Sequence, residues 1–257
     1  MNGRVVIHGH FYQPPRENPW TGQVDVEPSA APDHDWNVRI TREAYQPLVP
    51  VYEFLSFDFG PTLLDWMERE APETYAGVIR SDHGNALAMP YHHIILPLAN
   101  RRDKETEVRW GIAHFKRLFQ RDPVGFWLPE TAVDRETLDV LATEGIKFTV
   151  LAPHQVSKPP AHGLPARIEL SGGRSIAVFV YDGGLSHDVA FGPLTTDAGR
   201  LTEALERTPP GALASIAVDG ETFGHHHKGA DQTLATVIHR LQQSGKAQVT
   251  NFAAALA

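Results

Sequence analysis

Apolar runs of four to six residues recur along this chain, at 4–7, 54–59, 94–98, 124–128, 147–151, 176–181 and 214–218, each closing on a polar or Gly/Pro-rich turn. Runs this short that do not alternate with polar residues are the pattern of strands buried on both faces. Helical spacing fills several of the gaps. Residues 134–144 have Asp134 placed to cap, Leu138, Leu141 and Ala142 on one face, and Gly145 to terminate. Residues 105–119 set Val108, Ile112, Phe115 and Leu118 at helical spacing, and 231–243 do the same with Leu234, Val237, Ile238 and Leu241. The alternation predicts an α/β fold with a parallel sheet covered by helices. With about seven runs and no glycine-rich dinucleotide fingerprint, a closed barrel is the better fit, and a barrel presents its chemistry at the C-terminal ends of its strands.

Composition narrows the functions open to such a barrel. There is no cysteine, which removes disulfides, thiolate metal sites and cysteine nucleophiles and leaves catalysis to oxygen and imidazole. Lys and Arg number 23 against 31 Asp and Glu, a formal charge of −8 that repels a phosphate backbone, so nucleic acid is not an expected partner. No run approaches the roughly 18–20 apolar residues that cross a bilayer, and Met1-Asn2-Gly3-Arg4 leads into a strand rather than a secretory apolar segment. The expectation is a cytoplasmic protein without membrane contact, its oligomeric state open. Residues 13–35, with five prolines and polar composition, read as a loop over the barrel mouth, and the proline-rich 158–165 as a second connection.

Four segments concentrate reactive groups. In Val6-Ile7-His8-Gly9-His10, strand alternation turns His8 and His10 to one face; a hydrogen-bonded core pair is the plainer role, a site the sharper one. In Phe126-Trp127-Leu128-Pro129-Glu130 an apolar strand stops at proline and leaves Glu130 at its end, where it could serve catalysis or simply complement the next helix dipole. Trp127 beside it suits either a sugar site or barrel core. In Ala217-Val218-Asp219-Gly220-Glu221 a strand again ends on an acid, and Gly224-His225-His226-His227 follows in the same loop. A solvated acidic turn has no use for three adjacent histidines. Finally, Asp82-His83-Gly84-Asn85 brings imidazole and amide groups to a strand boundary. Two strand-end carboxylates among His, Trp, Tyr and Asn are what glycoside chemistry requires.

The motifs His8-Gly9-His10-Phe11-Tyr12-Gln13-Pro14-Pro15, Trp127-Leu128-Pro129-Glu130-Thr131-Ala132 and Asp219-Gly220-Glu221-Thr222-Phe223-Gly224-His225 resemble glycoside hydrolase family 57, as do Ser56-Phe57-Asp58-Phe59-Gly60-Pro61 and Leu151-Ala152-Pro153-His154-Gln155. The resemblance implies a distorted (β/α)7-type barrel acting on α-glucans with retention of configuration. It implies Glu130 as nucleophile and Asp219 as general acid/base, and it lines the sugar site with His8, His10, His83, Asn85, Trp127, Glu221 and His225. Glu130 must be ionised to attack, while Asp219 must hold a proton in the first step and take one in the second, so the two carboxyls need unlike surroundings.

The expectation is therefore one catalytic barrel over 1–257, shortened at 45–53 and 75–82 and without the family's post-barrel helices. It acts as a glycoside hydrolase or transglycosylase on an oligo- or polysaccharide substrate, with no cofactor and no metal. Two alternatives stay open. His8 and His10 with Asp219 or His225 could hold a divalent metal in a deacetylase- or mannosidase-like enzyme. Alternatively, the chain binds carbohydrate with little turnover.

Overall fold

The computed structural model describes residues 2–257. Strand β1 (Gly3–Phe11) runs through the centre of the molecule, hydrogen-bonded in parallel to β7 (Leu213–Asp219) along one edge and to β2 (Ser56–Phe59) on the other, with β8 (Ala247–Val249) taking that second edge near the start of β1. A second sheet joins β3 (Gly125–Phe126), β4 (Phe148–Leu151) and β6 (Ser175–Val180) in parallel. Antiparallel β5 (Ala166–Glu169) lies on the free edge of β6.

Residues 86–88 link the two sheets. Leu87 N–H donates to Phe57 at 2.7 Å, and Trp127 N–H donates to Ala88 at 2.7 Å, both in parallel bridges. On the far side Asp182 N–H donates to Ser215 at 2.8 Å, which closes the ring between β6 and β7. The order β1, β2, 86–88, β3, β4, β6, β7 is a distorted (β/α)7 barrel, held at the β6–β7 seam by far fewer bonds than at β1–β7. The run 94–98, read above as a strand, is instead irregular chain with a short 3-10 turn at Leu96–Leu98, and Leu98 is exposed. Pro97 lacks an N–H and suits a turn better than a ladder. The barrel needs only three residues in its third position, too few to register as an apolar run.

The helices lie outside. Two of them, α1 (Trp36–Ile40) and α2 (Pro61–Glu70), flank β2 in the chain; α3 (Pro72–Arg80) and α4 (Arg101–Phe119) follow, then α5 (Arg135–Thr143) between β3 and β4. After β6 come α6 (Gly183–Ala190) and α7 (Ala198–Glu206), and after β7 come α8 (Ala230–Ser244) and α9 (Phe252–Leu256). Asp134 caps α5 by accepting from Thr137 N–H, as its position predicts.

Strand alternation divides the apolar residues into two cores. Val5, Ile7, Phe57, Val178 and Ile216 face the helices, while Val6, Leu87, Trp127, Phe148 and Phe179 fill the barrel. Phe252 of α9 enters the inner set against Phe179 (ring centroids 5.0 Å) and lies 5.9 Å from the His8 ring. Burying such a phenyl ring contributes roughly 2–3 kcal/mol, so the lower barrel is sealed and the chemistry is confined to the upper end. Among the described residues no helix is long and apolar enough to cross a membrane.

Candidate active site

The β1–β2 register sets His8 opposite Ser56 and His10 opposite Asp58. Side chains alternate on both strands, so all four point into the barrel, and all are buried. Asp58 accepts from His8 Nε2 at 3.0 Å through one oxygen and from His10 Nδ1 at 2.7 Å through the other. The Ser56 hydroxyl donates to His8 Nδ1 at 3.1 Å. Burial holds His8 below its ordinary pKa against the pull of Asp58, so it is neutral. Burial acts the same way on His10, but Asp58, Glu221 and Asp219 together outweigh it and raise His10 above its ordinary value. Asp58 in turn sits below the usual carboxylate value, because the imidazoles overcome the cost of burying its charge.

Above this layer, Trp127 stacks on His8 at 4.5 Å and on His10 at 5.4 Å. The chain then turns sharply. Glu130 has φ 55° and Thr131 φ 51°, two consecutive left-handed residues, one of them β-branched. Such a conformation costs about 1–3 kcal/mol per residue and collects at functional sites. It leaves the Glu130 side chain in solvent at the head of β3.

Across the mouth, Asp219 ends β7 and is also exposed. The carboxyl that is buried is Glu221, two residues on: it accepts a short hydrogen bond from the Tyr45 hydroxyl. Burial pushes its pKa up to about 7, against the opposing effects of Tyr45 and His10. Glu130 and Asp219 therefore do not show the unlike surroundings expected of them, since both are exposed; the contrast in burial is instead between Asp219 and Glu221. Glu130 and Asp219 line one cavity of about 280 Å³ with His10, Trp127, His154 and Tyr181.

Of the residues singled out by sequence, His10, Trp127, Glu130 and Asp219 meet at this cavity, with His8 and Glu221 packed around it. The others do not meet there. His225 is tied to Glu43 at 2.6 Å and lies edge-on to Trp36, on the wall built by α1 and the turn after it. Asn85 is buried at the entry to the third strand, where its amide donates to the carbonyls of Tyr52 and Leu55 and accepts from His83 N–H. His83 is exposed beside it. Both precede their strand, whereas the cavity lies where strands end, so the sugar-lining role expected of them does not match their placement.

Sequence reasoning assigned no site role to Asp58 and His154, although both stand in the quoted motifs, nor to His93, Tyr181 and Tyr45. Tyr181 directly follows β6 and His154 lies three residues past β4, and the strand-end rule applied to every run would have found them. Tyr45 is 176 residues from Glu221, a pairing with no local signal. As for a metal, both oxygens of Asp58 and both nitrogens of His8 are taken up by one another, by His10 and by Ser56. Among the described residues no group of three or more His, Asp or Glu is disposed to hold an ion.

Two strand-end acids over an inward His-x-His pair, inside a seven-membered parallel barrel, can be compared with known proteins. The sequence pattern of glycosyl hydrolase family 57 matches residues 10–254. The chain belongs to that family. No curated protein sequence matches it. Among solved structures it is similar to the 4-α-glucanotransferase of Thermococcus litoralis (TM-score 0.76, 18% identity, covering 100% of this chain and 40% of that one). It is also similar to an exo-type maltose-forming amylase from Pyrococcus sp. ST04 (0.78, 18%, 97% and 47%). A third likeness is the family 57 branching enzyme of Pyrococcus horikoshii (0.71, 18%, 98% and 69%). At these identities the likeness is one of fold, and the chain spans 40% and 47% of the length of the first two.

Proposed function

We propose that this barrel is a retaining glycoside hydrolase or transglycosylase for α-glucans, with Glu130 as nucleophile and Asp219 as general acid/base. The observation that carries the reading is that these two carboxylates, from the ends of β3 and β7, share one cavity with Trp127 and Tyr181. Aromatic faces suit the apolar face of a pyranose, and paired carboxyls suit double displacement. Family membership supports the reaction class, and the glucan-active enzymes that share the fold support the substrate class.

In the first step the Glu130 carboxylate bonds to the anomeric carbon as the glycosidic C–O bond breaks, and the proton of Asp219 goes to the departing oxygen. In the second, Asp219 takes a proton from water or an acceptor hydroxyl, whose oxygen displaces Glu130. The left-handed turn at Glu130 holds its carboxylate at the mouth before substrate arrives, which reduces the reorganisation left for the reaction.

The test is covalent trapping followed by azide rescue. A fluorinated glucosyl donor should label Glu130, as read by peptide mass. With an activated donor, Asp219→Ala should accumulate the glycosyl-enzyme, and azide should release a glycosyl azide of retained configuration. Azide added to Glu130→Ala should give the inverted product. Label on another residue, or inversion in Asp219→Ala, would overturn the assignment.

A further inference from the structure

His10 does not end at Asp58. Its second nitrogen, Nε2, lies 3.0 Å from Nε2 of His93, whose ring stacks on Tyr12 at 3.9 Å. Two imidazole nitrogens at this distance hold one proton between them, so one donates and the other accepts. We propose that His10, on the cavity wall, and His93 behind it form a proton-sharing pair, and that Asp58 is the positioning residue that fixes its polarity.

Asp58 is a fully buried carboxylate, and the only groups bonded to it among the described residues are the two imidazoles. A buried charge of that kind needs a compensating cation. His8 does not supply it: completely buried under the Trp127 ring, it is held neutral by desolvation, whereas His10 keeps an edge towards the cavity. The compensating charge therefore belongs on His10, whose Nδ1–H points at Asp58 in either protonation state. That leaves Nε2 as the variable atom.

When His10 is neutral, its Nε2 lone pair accepts from His93 Nε2–H. When the pair gains a proton, it is bound at His93 Nδ1, and the Nε2 proton of His93 crosses to His10 Nε2. His10 then carries two N–H bonds and a positive charge, and His93 remains neutral as the other tautomer. His93 is suited to this part: burial and the adjacent His10 hold its pKa near 4, so it passes a proton without keeping the charge. The titratable groups facing His10 are His8 from its own strand, Asp58 from β2, His93 and Tyr12 from the adjoining loops, and Asp219 and Glu221 from the end of β7. Its charge favours the ionised form of Glu221, which burial disfavours. Asp58 in this way influences the pH window of the carboxyl cluster without touching substrate. The consequence for catalysis rests on the glycosidase reading above; the proton sharing does not.

Side-chain 15N NMR of the labelled chain, with His10→Gln and His93→Gln to assign the two rings, tests both. In the unmodified protein the two rings should respond at one common midpoint, His93 exchanging Nε2–H for Nδ1–H as His10 becomes doubly protonated. In Asp58→Asn, similar in shape but uncharged, the midpoint should require about tenfold or more higher proton concentration, and the pH profile of kcat/KM should move with it. Ser56→Ala, which removes a partner from His8 and none from His10, should leave the midpoint in place. Independent midpoints for the two rings, or an unmoved midpoint in Asp58→Asn, would overturn the proposal. Should Asp58→Asn not fold, the common midpoint in the unmodified chain still decides. Coupled rings without labelling at Glu130 would refute the glycosidase reading alone, and labelling with uncoupled rings would refute this inference alone.

Discussion

Phe11, the last residue of β1, lies so close to Gly220 that a Cβ on the glycine would stand 2.0 Å from Cε1 of its ring. The contact clamps the turn that carries Asp219 on one side and Glu221 on the other. Gly220→Ala must push that turn or the ring aside. Overpacking of this kind costs about 1–3 kcal/mol, and a displacement near 1 Å at a catalytic carboxyl costs about 100-fold in rate. The variant is expected to lose far more kcat/KM than stability, and Phe11→Leu in the same chain to restore part of the rate. Full activity in Gly220→Ala would show that the clamp is idle.

Glu221 should make stability pH-dependent in a direction fixed by its surroundings. In the unfolded chain it ionises near 4.5 and in the folded chain near 7. Between these values the folded state binds the extra proton, so its contribution to stability falls as pH rises from 4.5 to 7. Glu221→Gln has no such proton and can still accept the Tyr45 hydroxyl. Relative to the parent it should gain on the order of 3 kcal/mol in unfolding free energy across that window, measurable by urea unfolding at both ends. A constant difference would mean that Glu221 is not the buried carboxyl it is here.

Lys104 is buried on α4 with its ammonium 2.9 Å from both Asp134 and Glu136, at the start of α5. It ties down the segment that follows the Glu130 turn. Lys104→Met keeps the length and removes the cation shared by two half-exposed carboxylates, leaving Asp134 only its capping bond, at a cost of about 1–3 kcal/mol. Tm should fall by roughly 2–4 °C for each kcal/mol, while assays well below Tm show little change in KM. An unaltered Tm would remove the tie from the account.

Asn85 should behave as a structural residue. Asn85→Ala leaves the Leu55 carbonyl and the His83 N–H without partners and takes one of two from the Tyr52 carbonyl, costing about 1–3 kcal/mol. KM for oligosaccharides should stay at the parental value. A raised KM in a stable Asn85→Ala protein would return Asn85 to the sugar site.

Local pattern made a large part of this legible. Continuous apolar runs identified six of the barrel's seven strand positions, because a strand buried on both faces has to be apolar throughout. The third position escaped, since residues 86–88 hold their place through ladder bonds to Phe57, Gly125 and Trp127 rather than through length. The site divides in the same way. Glu130 and Asp219 were readable because each acid directly follows an apolar run, and a parallel barrel gathers all such ends on one face. Trp127 was readable as a neighbour of one of them.

By itself the sequence determined six of the seven barrel strands, the common facing of His8 and His10, and the two acids at strand ends, all of which depend on period and spacing within a few residues. Only the tertiary structure decided that Asp58 would lie between the two histidines, 48 residues from His10, and that Tyr45 would meet Glu221 across 176. It also decided that His83 and Asn85 would stand at strand beginnings, away from the cavity. The physical reason is register: pairing two strands one residue differently turns every side chain to the opposite face. The register of β1 against β2 is set by the packing of the whole barrel, which no segment of the chain contains.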